Sequence, residues 1–142
     1  MSISIQKEKY EAVLITALRF SLALIFIWFG VLKIFGFNPV FDLVHSVAPF
    51  LSSGGGLILL GVFETLIGVG LAIDKLRALP HVLLILHLSG TFVTSITGIK
   101  IVFQPHFPIL SLEGEFVVKN LVLAISGLVV LLHESSAKRS PE

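Results

Sequence analysis

Arg19, Glu64, His87 and Lys119 each interrupt a long apolar run, and Thr91 and Asn120 lie in the same kind of surroundings. Glu64 is the most informative. A carboxylate held away from water either takes up a proton or finds a cation. Arg19 is the candidate cation, since it is always charged and grips a carboxylate with two donors. An Arg19–Glu64 pair that only fixes helix packing and a proton-carrying or ligand-binding Glu64 are both open on the sequence. Arg19 could instead snorkel to a membrane edge, although small residues share its helical stripe. Lys119, beside Asn120, has a structural and a binding role equally open to it. Lys33, in the stretch IFIWFGVLKIFGF, is expected to be an interface anchor with a long stem.

Other chemistries have little support. The chain has no cysteine, which excludes disulfides, thiol relays and thiolate metal sites. A membrane haem wants two imidazoles at matching depth in different spans. Only His87 lies well inside an apolar run, while His45, His81, His106 and His133 fall at ends or in loops. His87 and Glu64 together are too few ligands to assign a metal site. Gly54-Gly55-Gly56 lacks the lysine and hydroxyl of a phosphate loop, and no Ser-His-Asp motif is legible. A net charge of +1 gives no sign of nucleic-acid binding.

The elements that position these residues follow from composition. The 142 residues are 55% hydrophobic and 13% charged, with mean hydropathy +1.00, against about 25% charged for a soluble domain. A soluble fold of this size could not hide so much apolar surface. The reading is an all-α, four-helix transmembrane bundle of up-down topology. Spans are expected at residues 12–35, 56–73, 79–98 and 113–133, each near the ~20 residues a bilayer requires. Residues 1–11 form an N-terminal segment, 12–134 the membrane domain and 135–142 a polar tail. The hydrophilic turn Asp74-Lys75-Leu76-Arg77, Pro80 in the first turn of span three, and Glu113 and Glu115 in the first turn of span four agree. Lys7, Lys9, Lys75, Arg77, Lys138 and Arg139 lie on one side and Lys33 and Lys100 on the other, which puts both termini in the cytoplasm. Between spans one and two, Val40, Val44, Val47 and Leu51 recur at helical spacing, predicting a short amphipathic helix on the outer face.

Helical spacing collects the polar residues into seams. Arg19, Ala23, Phe26, Gly30 and Lys33 share one face of span one, with Trp28 opposite and expected to face lipid. Gly61, Glu64, Gly68 and Ala72 align in span two, and His87, Thr91, Thr94 and Gly98 in span three. Phe116, Lys119, Leu123, Ser126 and Val130 align in span four, with Asn120 and Gly127 at the edge. Small residues and charges belong at helix contacts rather than in lipid. Counted at ~1.5 Å per residue from the cytoplasmic ends, Arg19 and His87 come at roughly 11 Å and Glu64 at roughly 15 Å. That predicts an inner polar layer of these three, and an outer one of Lys119 and Asn120 with Lys33 beyond.

Three motifs carry a family resemblance. Arg19-Phe20-Ser21 runs into Trp28-Phe29-Gly30-Val31-Leu32-Lys33. Gly61-Val62-Phe63-Glu64 continues to Gly68. Phe107-Pro108-Ile109-Leu110-Ser111 is followed by Gly114 and Val118-Lys119-Asn120. In these the chain resembles the YkgB-like inner-membrane proteins, a branch of the DoxX-like superfamily, from Arg19 to about Glu134. The resemblance implies a four-helix bundle in the bacterial cytoplasmic membrane. It also implies a link to stress defence against reactive chlorine species, and to membrane oxidoreductases with soluble or membrane partners. The expected role is therefore an accessory subunit without catalysis of its own, binding a small ligand such as a quinone head group or an anion. Arg19 and Lys119 would supply positive charge, Asn120 and Thr91 hydrogen bonds, and Glu64 a counter-charge or proton acceptor. A small proton-linked transporter using Glu64, and a structural scaffold, are the alternatives.

Overall fold

The computed structural model describes residues 2–73 and 78–137. The turn at Asp74–Arg77 and the basic tail residues Lys138 and Arg139 lie outside the described residues. Seven helices occur among the described residues: α1 (Ser2–Ile34), α2 (Phe41–Val47), α3 (Pro49–Ser52), α4 (Gly54–Ala72), α5 (Ala78–Thr97), α6 (Ile99–Val102) and α7 (Leu112–Ala137). Four of them, α1, α4, α5 and α7, are long and apolar enough to cross a membrane. The chain is an all-α four-helix bundle and a multi-pass membrane protein. The helix α1 takes in most of the first eleven residues, and α7 continues past His133.

The bundle is a ring in which α1 packs on α4, α4 on α5, α5 on α7 and α7 on α1, with α1–α4 the most extensive contact. Small residues create that contact. Gly30 and Gly61 face each other so closely that a Cβ on Gly61 would lie 2.6 Å from the Gly30 carbonyl oxygen, and one on Gly68 would lie 2.7 Å from that of Ala23. Only glycine allows these backbones to meet, as expected for helices that gain little from hydrophobic exclusion in lipid. The core of the ring is apolar and includes Leu22, Phe26, Ile67, Leu84, Leu88 and Val130.

One end of the ring is capped. There α3 packs on α4, α2 on α5 and α6, and α6 on the start of α7. Leu43 of α2 is buried with Val102 and Val117. The short helix predicted after span one is present as α2 and α3, but with a different inward face: Val40 and Leu43 are buried, whereas Val47 is exposed. Ser111 caps α7, its Oγ accepting from the Gly114 N–H at 3.0 Å. Within the spans most hydroxyls donate to the carbonyl four residues back, as Thr65 to Gly61 at 2.8 Å and Ser95 to Thr91 at 2.6 Å. Their polarity is thereby satisfied inside their own helix.

Candidate functional site: a charged cavity inside the bundle

Glu64 projects from the middle of α4 into the ring and is 5% exposed. Gly61, one turn away, brings α1 close enough for the Lys33 stem to run along α4. Lys33 Nζ donates to Glu64 Oε2 at 2.6 Å. From α5, His87 Nε2 lies 3.0 Å from Glu64 Oε1. One carboxylate thus ties three spans together, with each of its oxygens engaged by a different helix. With His87 neutral the cluster carries no net charge, which suits a low-dielectric interior.

The cluster forms one wall of a cavity of about 340 Å³. Phe26, Phe29 and Phe116 supply much of the apolar wall, and Val44 of α2 reaches in from the cap. Phe29 and Phe116 meet edge to face at 5.2 Å, as do Phe26 and His87 at 5.8 Å. Lys33 Nζ lies 5.9 Å from the Phe29 ring centre. On the α7 side are Asn120 and Lys119. Asn120 is 5% exposed, and its side chain makes no hydrogen bond among the described residues.

The structure gathers Glu64, His87, Thr91, Lys119 and Asn120 around one cavity, and adds Lys33. Arg19 is not among them: its guanidinium pairs with Glu134 at 3.6 Å, well along α1 from the Glu64 cluster. The cation on Glu64 is therefore Lys33, not Arg19. Lys33 is 3% exposed and turned into the bundle; it does not reach outward as an anchor. In place of two separate polar layers, residues from both line one cavity. The Lys119 side chain is 73% exposed and pairs with Glu115 one turn back at 3.4 Å, so it stands at the rim. Thr91 spends its hydroxyl on the His87 carbonyl at 3.2 Å. Trp28 is exposed on the face opposite the seam. Glu134 and the inward course of Lys33 were not anticipated. The signal for Lys33 was present, because it continues the Ala23–Gly30 stripe by one more turn.

Fold and site together describe a multi-pass membrane protein built around a charged intramembrane cavity. No family model, no curated protein and no solved structure matches the chain.

Proposed function

We propose that the protein is an accessory, ligand-binding subunit of the bacterial cytoplasmic membrane, with both termini in the cytoplasm, that serves redox and oxidative-stress defence. The cavity carries the binding half of this reading. At about 340 Å³ it is within the range for small-molecule sites, about 300–1,000 Å³. It also has the usual make-up of such a site, an apolar and aromatic wall with a few convergent polar groups. A quinone head group or a comparably small molecule fits that description. The redox half, including defence against reactive chlorine, rests on the resemblance of the Arg19, Trp28–Lys33, Glu64 and Lys119-Asn120 motifs to the YkgB-like proteins. In this reading any electron transfer runs through a bound cofactor or a partner oxidoreductase.

The test is to purify the protein in mild detergent, extract it and identify small molecules by mass spectrometry. The reading expects a compound recovered from the wild type and lost from an Asn120→Leu variant that melts normally. Recovery of lipid alone, together with no calorimetric binding of a short-chain quinone, would remove its support. The burial of Glu64 inside a span favours a second reading, a proton-linked transporter. That one requires flux in proteoliposomes containing this protein alone, where an accessory subunit gives none.

A further inference from the structure

We infer that the cavity takes up an aromatic weak acid and holds it as its anion, with His87 receiving the ligand's proton. This deepens the reading of the cavity as a ligand site and rests on it.

The hydrogen-bond pattern of the cluster carries the inference. Glu64 has no oxygen free of a partner, since Oε2 holds Lys33 and Oε1 holds His87 Nε2. A neutral imidazole facing a carboxylate through Nε2 keeps its proton there, and Nδ1 is left as the basic nitrogen. No hydrogen bond to Nδ1 is found among the described residues. A carboxylate that fixes an imidazole in this way also stabilises the imidazolium. Glu64 is thus a positioning residue for His87. Lys33 has three donors and spends one on Glu64, so others remain to meet an oxyanion. Asn120 is an independent pointer: it is 95% buried, faces the same cavity and has no partner among the described residues.

Charge conservation selects the ligand class. The charged and titratable groups facing the cavity are Lys33 from α1, Glu64 from α4, His87 from α5 and Lys119 from α7, and α2 contributes only Val44. Lys33 and Glu64 cancel, and Lys119 has Glu115 beside it at the rim. A ligand entering as an anion would add an uncompensated charge to a low-dielectric site. A neutral acid adds none. Once inside, its O–H bond breaks, the electron pair stays on oxygen and the proton forms an N–H bond at His87 Nδ1. The product is an imidazolium against Glu64 and an oxyanion against Lys33, with the net charge unchanged. The Phe26, Phe29 and Phe116 rings suit a flat aromatic body. The ligand class is therefore an aromatic hydroxyl compound.

The experiment compares 4-nitrophenol with nitrobenzene, its non-acidic counterpart, on the purified protein in detergent. It is run at a pH below the free phenol's ionisation. Calorimetry reports binding of each, and absorbance reports whether bound nitrophenol is phenol or phenolate. The wild type is expected to bind both and to show the phenolate band. Nitrophenol bound to His87→Gln should lack that band, and Glu64→Gln should cut the phenolate-to-phenol ratio by about tenfold or more, with recovery in Glu64→Asp. Should the variants fail to fold, ¹⁵N shifts of His87 in the wild type decide the matter, since nitrophenol should turn it into imidazolium. Bound nitrophenol that stays neutral, or a phenolate band that survives His87→Gln, overturns the inference while leaving the cavity a binding site. If neither probe binds, the binding half of the proposed function falls with it.

Discussion

Lys33→Met tests the central claim about the site, because it removes the ammonium and keeps most of the stem. The side chains of Lys33 and Glu64 are 4% and 7% exposed, and their contact is 2.6 Å. Removing one partner of a buried pair costs about 3–5 kcal/mol, since the other charge is left uncompensated. Glu64 would still hold His87, which places the expected loss at the low end, about 3 kcal/mol. Glu64→Gln strands the ammonium instead, and a loss of about 2–3 kcal/mol is expected, because the long stem has some freedom to move. The double variant buries no ion, and apolar replacement of a whole pair is often close to neutral. With the double variant near neutral, the cycle should therefore show a coupling of about 5–6 kcal/mol. The assay is reversible unfolding in mixed micelles, titrated with a denaturing detergent and followed by far-UV circular dichroism. Additivity within about 0.5 kcal/mol would mean that the two residues do not touch. A Lys33→Met cost below about 1 kcal/mol would put Lys33 at a surface, where ion pairs are worth that little.

The same assay carries three further predictions. Arg19→Met and Glu134→Gln should couple with each other, by about 0.5–1 kcal/mol for a partly exposed pair, whereas Arg19→Met and Glu64→Gln should be additive within about 0.5 kcal/mol. The reverse pattern would restore Arg19 as the partner of Glu64. Gly61→Val should destabilise by about 3 kcal/mol or more, at or beyond the upper end for overpacking, because its Cβ would sit 2.6 Å from the Gly30 carbonyl; a neutral result would show that α1 and α4 are further apart. Trp28 is the only tryptophan and is 64% exposed, so brominated lipid should quench most of the protein's tryptophan fluorescence, and an unquenched signal would place Trp28 against protein.

The helical seams of α1 and α4 were legible because small residues and charges fell at helical spacing. Gly30 and Lys33 met Gly61 and Glu64 as that spacing requires. Depth was harder to read. Counting inward from span ends treats the end of α1 as the membrane edge, but α4 begins at Gly54 and reaches the level of Gly30 only at Gly61. Nearly two turns of α4, together with α2, α3 and α6, therefore lie beyond that point, and Lys33 ends up beneath a cap. Arg19 escaped for the opposite reason: α7 runs on past His133 and presents Glu134 to it. The phase of α7 was the third difficulty. Its buried positions include Gly114, Val117, Asn120, Gly127 and Val130; of the expected stripe only Val130 is buried, while Phe116, Leu123 and Ser126 are half-buried and Lys119 is exposed. A helix that is apolar on every side carries no hydrophobic phase of its own. What sets the rotation is close packing, as where Gly127 receives the Leu84 side chain from α5.

A purely structural role for the cluster has to account for what lies beside it. A buried ion pair gives a fold little that apolar residues of equal volume would not give, and often less. As a helix clasp, Lys33–Glu64 would be expected to sit in close-packed surroundings, its remaining donors matched by protein acceptors. Instead it borders about 340 Å³ of open volume, Lys33 retains unused donors, and Asn120 lines the same space with no side-chain hydrogen bond among the described residues. Each feature costs stability in an empty scaffold, through lost packing or unmade hydrogen bonds. All of these costs fall when a small polar-headed molecule fills the cavity. If the proposed ligand-binding role holds, filling the cavity should raise the melting temperature of the wild type more than that of Asn120→Leu.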